Sequence, residues 1–559
     1  MIPIESLTDA QLDCLVPPLL GFLGRALAAR AVGSPSDMAL WREAAEMVVP
    51  LHPEAADALC LTLSRSGRHD QAIELAAKLS DIDLKEPKAF FRLGLALLHG
   101  ARPAEAMVPL KTCLDLDPSF PVARNNIAAA LIQLDEGAEA IIPWLEAEIA
   151  VNPAVAEAWT NLGTQCVRTR DLERAITCSE RALELAPNSV IALNNHALVM
   201  KEAQRWDAAR RDFESCIRLS GGEPLYRLNL GLLDLLEGRY AAGWDGFEFR
   251  SLATDARKRS RPQLGGEPWK GQALEGRTLL IWGEEGYGDV IQFCRFLPRM
   301  TDEVRRRGGR LVWNSFPNFG ELLRNSFAGK VDAYVTGGIP ELPRFDYEMS
   351  LLSVPGHLGV DREALSAFSP YIFADSARGR ARVDRPQGDG RLDVGLVWSG
   401  SPDQGRNPFR SVRLDDFADA FSGLRDVVFH SLQVGRSEEV LAARSATFVC
   451  EDPTPHFTTF DDTAAFIDQL DLVITVCTSV AHLSAAMGKP TWVLLDVNPH
   501  WAWGIDQDRS PWYPTARLFR QRRFGDWAPV FGDLADALGA LTESGQGKAV
   551  RQTENAHRE

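Results

Sequence analysis

A glycine-rich stretch at residues 278–298, TLLIWGEEGYGDVIQFCRFLP, combines residue types that could carry out acid–base chemistry on an anionic substrate. The apolar run 279–282 predicts a buried strand, and a loop with Gly286 and Gly288 follows it. Apolar residues after the loop repeat at helical spacing. Free backbone N–H groups and the helix dipole attract anions at such a helix start. Asp289 lies at this point, and a carboxylate there fits a catalytic base better than a simple anion site.

A second strand–loop–helix pattern occurs at residues 472–490. The apolar run 472–476 predicts a buried strand, and Thr478 and Ser479 begin a helix that ends at Gly488. Hydroxyls and free N–H groups at a helix start form a second anion site. We expect it to face the same crevice, outside the carboxyl ends of parallel strands.

Further apolar runs predict that these sites belong to two α/β domains with mainly parallel sheets, at residues 277–375 and 392–545. Between them, the polar, Arg- and Gly-rich residues 376–391 predict a linker. The predicted strands of the first domain are residues 279–282, 310–313, 331–336 and 347–352. The second domain begins with a strand and a small-residue loop at 392–401, and its further predicted strands are residues 427–432, 472–476 and 491–495.

Residues 36–250 repeat themselves with a period of 34 residues. Gly163, Ala175 and Pro187 are 12 residues apart, and the small-residue positions recur in neighbouring repeats. This spacing resembles the tetratricopeptide repeat, in which W-x2-L-G is followed by Ala and then Pro. Small residues let two helices touch, and proline ends the second helix. We therefore predict about six repeats. The remaining segments are a helical cap at 1–35, a basic linker at 251–276 and a disordered tail at 546–559.

An asparagine column runs through the repeats, two positions before the small residue of each first helix. Such positions line the concave face of a repeat superhelix. Because an asparagine side chain offers both a donor and an acceptor, a row of them could bind the backbone of an extended acceptor peptide. The alternative is that they bond within the repeats. The column consists of Asn126, Asn161, Asn195 and Asn229.

Composition excludes several function classes. A formal net charge of −16 argues against sequence-independent nucleic-acid binding, which needs cations. Nine cysteines without a C-x-x-C pair indicate neither a zinc site nor a disulfide framework. No apolar run approaches the roughly 18–20 residues needed to span a bilayer, and the N-terminus lacks a basic signal-peptide region. We expect a cytoplasmic protein without membrane insertion.

The two α/β domains resemble the GT-B glycosyltransferase fold, and the heptosyltransferase-type family in particular, over residues 277–545. The family's Gly-Asp-Val motif is matched at 288–290, and its D-T-x-x-x-H-L motif is matched at Thr478 and at 482–483. The expected fold is therefore an α-helical solenoid of tetratricopeptide repeats followed by an α/β GT-B region of two Rossmann-like domains. Repeats fused to such domains resemble the O-linked N-acetylglucosamine transferases. The motifs are more similar to bacterial repeat-plus-glycosyltransferase proteins that include flagellin-modifying enzymes. The stretches 282–298 and 498–521 carry this second resemblance.

The resemblance implies roles for the residues of both motifs. Asp289 would be the general base of an inverting reaction, although capping of the helix is an alternative role for it. Thr478, Ser479 and His482 would hold the donor phosphates, with a core histidine as the alternative for His482. The loop residues Gly286, Gly288 and Ser399 are predicted to contact the donor as well.

A cation near the donor phosphate is implied by the same resemblance. Among Arg406, Arg410 and Arg413 we select Arg410, with a solvated loop arginine as the alternative. Gln433, at the end of a predicted strand, is a weaker candidate for a nucleotide contact. Arginine and helix termini can neutralise a diphosphate, so we expect neither a metal nor a cofactor beyond the nucleotide-sugar co-substrate.

These features predict a protein O-glycosyltransferase whose repeats recruit a protein acceptor. Flagellin is the leading acceptor by resemblance, and a CMP-linked nonulosonic acid is one candidate donor. Lipopolysaccharide-type sugar transfer is a second enzymatic hypothesis. Cys477 stands where the family usually has an acidic residue. That departure favours a rival hypothesis, a non-catalytic scaffold with a degenerate transferase-like domain.

Overall fold

The computed structural model describes residues 3–50, 53–254, 262, 264–375, 391–445, 447–505 and 507–543. The chain packs as two compact units, Met1–Met200 and Lys201–Glu559. The tail predicted at 546–559 lies outside the described residues, as do parts of the linkers predicted at 251–276 and 376–391.

The first unit consists of helices that are paired through short turns, as the repeat pattern predicts. Close packing depends on small residues: a Cβ atom added at Gly94 would lie 2.5 Å from Cγ of Leu110 in the next helix. The helices are α1 (Asp9–Ala31), α2 (Pro35–Val48), α3 (Pro53–Arg65), α4 (His69–Ile82), α5 (Pro87–His99), α6 (Pro103–Leu116), α7 (Ala123–Gln133), α8 (Ala138–Val151), α9 (Ala156–Arg168), α10 (Leu172–Leu185) and α11 (Val190–Glu202), whose last two residues belong to the second unit.

The turn inside each helix pair contains a residue in the left-handed conformation, and this feature recurs every 34 or 35 residues. The period begins at Gly33, between α1 and α2, within the segment predicted as a cap. The pair α1–α2 therefore follows the same backbone pattern as the predicted repeats. The left-handed residues are Gly33, Gly67, Ala101, Asp135, Arg170, Gln204 and Gly238.

Helix α1 differs from the expectation that no apolar run approaches the length of a membrane span. By length and composition it is apolar enough to cross a membrane, although no such span was predicted. Its residues Leu12, Val16, Leu19 and Leu23 are fully buried and share a core with residues of α3 and α4. This apolar face is accounted for by packing inside the unit.

The second unit begins with α12 (Trp206–Leu219), α13 (Pro224–Leu236) and α14 (Tyr240–Phe247) and continues into a first α/β half, residues 264–375. All strands of its sheet are parallel, in the order β1-β5-β2-β3-β4. The strands are β1 (Glu267–Pro268), β2 (Thr278–Trp282), β3 (Arg310–Ser315), β4 (Ala333–Thr336) and β5 (Tyr347–Ser350), and the helices are α15 (Tyr287–Phe293), α16 (Leu297–Arg306), α17 (Leu322–Ser326), α18 (Val354–His357) and α19 (Arg362–Ser366).

The second α/β half, residues 391–543, has a parallel sheet in the order β11-β10-β9-β6-β7-β8. Both sheets confirm the predicted fold class of a helical repeat array followed by two parallel α/β regions. The strands are β6 (Leu392–Val397), β7 (Val427–Ser431), β8 (Cys450–Glu451), β9 (Leu472–Val476), β10 (Thr491–Leu495) and β11 (Ala516–Arg520), and the helices are α20 (Asn407–Arg410), α21 (Leu414–Phe421), α22 (Ser437–Ala443), α23 (Phe460–Ile467), α24 (Ser479–Ala486) and α25 (Ala528–Glu543).

Some strand boundaries differ from the prediction. The strand predicted at 347–352 ends at Ser350, because the Ser350 hydroxyl accepts the Leu352 N–H and starts a 3-10 turn. The sequence missed β1, β8 and β11. The first two are only two residues long, and β11, at the edge of its sheet, is interrupted by two arginines and forms no continuous apolar run.

Candidate active site

A cavity of about 780 Å³ lies between the two α/β halves of the second unit. Both halves contribute to its wall, at the ends of β2, β6, β7 and β9 where loops lead into helices. The structure brings together every residue that the sequence assigned to catalysis or donor binding. These residues are Gly286, Gly288, Asp289, Ser399, Arg410, Gln433, Thr478, Ser479 and His482.

Asp289 is the third residue of α15, and its Oδ2 atom accepts the Gly286 N–H at 3.0 Å. The carboxylate thus caps the helix from its first turn, as the alternative role proposed, while it also lines the cavity. The preceding loop residue Glu285 has a φ of +62°, which is unusual for a residue other than glycine. Such backbone strain is common at functional sites.

The pKa of Asp289 is raised from 3.8 to about 6. Burial is the main cause, and the nearby charges of Glu285 and Glu284 add to it, while the Gly286 N–H acts in the opposite direction. At pH 7 the carboxylate is therefore mostly ionised, yet more basic than an ordinary aspartate. This combination suits a general base.

The two motifs meet because helices α15 and α24 pack against each other. Gly288 makes this possible: an added Cβ would lie 3.2 Å from Cδ2 of His482 and 3.4 Å from Cα of Ser479. A side chain at residue 288 would press the two helix starts apart.

His482 is 5% exposed and lies on the cavity wall, so it is a core histidine and a cavity residue at once. Its Nδ1 atom is 3.1 Å from the Tyr513 hydroxyl, and its ring stacks on Trp503 at 5.0 Å. Burial, followed by the effects of His500 and Arg410, lowers its pKa to about 3. The imidazole is therefore neutral at physiological pH.

Thr478 is the N-cap residue of α24, but its side chain makes no capping hydrogen bond. Its hydroxyl lies instead 3.1 Å from Oγ1 of Thr475, which itself donates to the Val476 carbonyl at 2.7 Å. The Thr478 side chain consequently leaves the first N–H groups of α24 available to a ligand.

The loop after β6 is held by side-chain amides. Oε1 of Gln433 accepts the N–H groups of Trp398 and Ser399 at 3.2 and 2.9 Å, and Oδ1 of Asn407 accepts the Gly400 N–H at 2.9 Å. Gln433 thus positions the loop that carries Ser399, while its contact with a nucleotide stays a prediction.

The three candidate arginines have different environments. Arg410 lies on the cavity wall, where Nε donates to Asn407 at 3.3 Å. Arg413 is exposed and pairs with Asp416. Arg406 pairs with the buried carboxylates of Glu202 and Asp496, and Asn498 donates to Glu202 at 2.8 Å. Of the three arginines, Arg410 alone lines the cavity. The Arg406 cluster ties the end of α11 to the second half.

Cys477 is buried, and its Sγ atom accepts the Trp503 Nε1–H at 3.1 Å. Burial raises the pKa of this thiol. The residue is consequently a protonated wall group of the cavity, and it supplies no charge where the resembling family has an acid.

The four asparagines of the column lie in helices of the repeats and not on the cavity wall. In the first unit, Asn161 donates to Asn125 at 2.9 Å, and Oδ1 of Asn195 accepts from Thr164 at 3.4 Å. Asn126 and Asn229, in α7 and α13, are half-buried. Bonding inside the repeat array therefore accounts for part of the column, as the alternative interpretation states.

Sequence reasoning missed a third helix start on the cavity, at α23. Thr459 precedes this helix and Asp462 is its third residue, so that the two form a capping box. The Thr-x-x-Asp spacing before an apolar run could have revealed it. Other cavity residues carried no local signal, because only tertiary packing brings their loops to the site. They include Asn318, Arg436, Phe457 and Thr458. His500 also lines the cavity, within the segment 498–521 that carries the resemblance, but no role was predicted for it.

Comparisons with known proteins identify the repeats. The family model of the tetratricopeptide repeat matches residues 156–189, the segment that holds Gly163 and Ala175. Protein FlbA of Caulobacter vibrioides is 29% identical over 439 residues, which are 74% of this chain and 72% of that protein. Small glutamine-rich tetratricopeptide repeat-containing protein 2 of Mycosarcoma maydis is 41% identical over 71 residues, covering 13% of this chain and 20% of its own length.

Solved structures match part of the chain. A structure of pilF from Pseudomonas aeruginosa is 17% identical, with a TM-score of 0.32, and covers 37% of this chain and 95% of its own. MamA from Desulfovibrio magneticus RS-1 is 20% identical, with a TM-score of 0.26, over 30% of this chain and 95% of its own.

Proposed function

We propose that the chain is an inverting protein O-glycosyltransferase that moves a sugar from a nucleotide-activated donor to Ser or Thr of a protein acceptor. One observation carries the proposal: a single cavity between two α/β halves is lined by the carboxylate of Asp289, the guanidinium of Arg410 and the first residues of α24. A base and an anion-binding wall facing one space are what glycosyl transfer needs.

In the proposed reaction, the acceptor hydroxyl oxygen forms a bond to the anomeric carbon of the donor. The bond from that carbon to the phosphate oxygen breaks, and the electron pair leaves with the nucleotide. Asp289 takes the hydroxyl proton, and its raised pKa of about 6 supports this role. Arg410 and the free N–H groups of α24 stabilise the charge that develops on the phosphate.

The repeats would recruit the acceptor, because tetratricopeptide arrays bind extended peptides on their concave faces. The match of residues 156–189 to the repeat family supports a protein rather than a lipid acceptor. Flagellin is the leading candidate through the resemblance to bacterial flagellin-modifying enzymes.

A non-catalytic scaffold is the second candidate function, and Cys477 favours it, since a buried thiol supplies no carboxylate where the family has one. The two candidates differ in donor binding. A scaffold has no need to bind a nucleotide sugar, whereas the transferase must do so.

Titration calorimetry with CMP-, UDP- and GDP-linked sugars tests the proposal. If the chain is a transferase, we expect wild type to bind the sugars of one nucleotide class. Arg410→Ala should bind the same donors at least tenfold more weakly, because it lacks a cation that contacts the phosphate. Arg413→Ala, on the exposed end of the same segment, is the matched control and should bind as wild type does. Absence of binding for every donor would favour the scaffold.

A further inference from the structure

His500 lies on the wall of the cavity together with Arg410 and His482, outside both motifs that the sequence singled out. It is the N-cap residue of the 3-10 helix Trp501–Trp503. Its ring centroid lies 4.9 Å from that of Trp501 and 6.3 Å from that of His482. The imidazole is therefore fixed in place by its neighbours.

The hydrogen bonds of His500 define which nitrogen carries the proton. Nδ1 accepts the Ala502 N–H at 3.4 Å. Burial and the neighbouring Arg410 lower the pKa of the ring to about 4, so the ring is neutral at physiological pH. A neutral imidazole that accepts at Nδ1 carries its proton on Nε2. Within the described residues no group accepts a hydrogen bond from this Nε2–H, and His500 is partly exposed.

We propose that the Nε2–H of His500 donates a hydrogen bond to a phosphate oxygen of the donor, beside Arg410. This assignment rests on the proposed function and adds a residue to its phosphate site. Arg410 supplies charge, whereas His500 supplies a directed and uncharged donor. When the bond between the anomeric carbon and the phosphate oxygen breaks, negative charge grows on the phosphate, and a donor already in place stabilises it.

A capping role alone would also fix His500, and two variants separate the roles. In His500→Asn, the amide oxygen can replace Nδ1 and accept the Ala502 N–H, but no N–H reaches the Nε2 position. In His500→Gln, the amide N–H can reach that position. Phosphate binding therefore predicts that the glutamine variant functions and the asparagine variant does not. Capping predicts the reverse.

The experiment measures binding of CMP, UDP, GDP and inorganic phosphate to the full chain by calorimetry, with thermal unfolding as the check on folding. We expect His500→Asn to bind the preferred nucleotide at least tenfold more weakly than wild type, and His500→Gln within about threefold. Equal binding by wild type and His500→Asn would overturn the assignment and leave the proposed function intact.

A measurement on wild type does not depend on how the variants fold. With ¹⁵N-labelled histidine, addition of inorganic phosphate should shift the Nε2 resonance of His500, and an unchanged resonance at saturation would overturn the contact. A wild-type protein that binds phosphate with this shift but binds no nucleotide would keep the contact and reject the proposed function. If neither phosphate nor nucleotide binds, both proposals fail.

Discussion

The burial of Asp289 makes its carboxylate a stronger base and makes the folded protein less stable. Burial raises its pKa to about 6, which strengthens it as a base. The same burial makes the ionised carboxylate less stable in the folded protein than in water. The effect of Asp289 on catalysis and its effect on stability can be measured separately, by the pH dependence of the rate and by unfolding of a variant without the charge.

The pH dependence of transfer is the first prediction. We expect kcat/KM to rise with pH through about 6 and then to level off, since Asp289 must be ionised to accept a proton. His482 and His500 titrate at about 3 and 4 and add no step above pH 5. Initial rates between pH 5 and 8.5 provide the measurement. A profile that is flat through pH 6 would contradict the assignment of the base.

The stability of Asp289→Asn is the second prediction. The folded-state pKa lies above the ordinary value of 3.8, so this group favours folding below pH 3.8 and loses that contribution as pH rises through about 6. Asparagine keeps an acceptor for the Gly286 N–H without the charge. We expect the variant to be more stable than wild type by about 1–3 kcal/mol at pH 8, with little difference at pH 4. Urea unfolding at both pH values measures this, and the exposed Asp302→Asn is the control.

Much of the site was predictable at the residue level, because glycines, hydroxyls and Asp289 stand directly after apolar strands. His500 and Asn318 were not, because their loops carry no periodic pattern and reach the cavity only through tertiary packing. The roles of Gln433 and Arg406 also required the structure. Their hydrogen bonds connect segments that are far apart in the sequence.

At the scale of elements, the contact between α15 and α24 brings the two predicted motifs together. Gly288 is the third prediction: Gly288→Ala places a Cβ 3.2 Å from the His482 ring. We expect a loss of about 1 kcal/mol in the free energy of unfolding and weaker donor binding, because the helix starts must shift.

The control for this prediction is Gly532→Ala in α25, where an added Cβ meets no atom of the described residues within 4 Å. It should raise stability by roughly 0.5–1 kcal/mol through helix propensity and leave donor binding unchanged. Wild-type donor affinity in Gly288→Ala would contradict the close approach of the two helices.

The Arg406 cluster gives the fourth prediction. Arg406→Ala leaves the carboxylates of Glu202 and Asp496, which are 6% and 3% exposed, without their cation. We expect a loss of about 2–4 kcal/mol at pH 8, and less at pH 5 because burial raises the pKa of the Asp496 carboxyl group, which can take up a proton once its cation is removed. Urea unfolding tests this. The exposed pair of Arg413 with Asp416 is the control, and Arg413→Ala should change stability by less than about 0.5 kcal/mol.

The fold was predictable wherever an element repeats or is wholly buried. The apolar runs 472–476 and 491–495 predicted β9 and β10 with their observed ends. The period of the small residues predicted the helix pairs. The short edge strands β1 and β8 were missed, because two residues carry no period. Helix α1 has the composition of a membrane span, and only its burial against α3 and α4 explains its apolar face.

At the scale of the whole molecule, we propose different functions for the helical repeats and for the α/β halves. The cavity contains the proposed base and the proposed phosphate-binding groups, and among the described residues it is lined by those of the second unit alone. The repeats would therefore determine which protein is modified, and the cavity which donor is used. Changes in the first unit should alter the KM for the acceptor and leave donor binding unchanged.

The central claim is transfer of a sugar to a protein with Asp289 as the base. The most direct measurement is the intact mass of flagellin from cells that carry wild type, Asp289→Asn or a deletion of the gene. We predict a sugar-sized mass increment in wild type that is lost in both other strains, with rates in the purified Asp289→Asn protein lower by about 10²–10⁴-fold. A mass increment that persists in the Asp289→Asn strain at the wild-type level would contradict the assigned base. Flagellin of unchanged mass in the deletion strain would contradict flagellin as the acceptor.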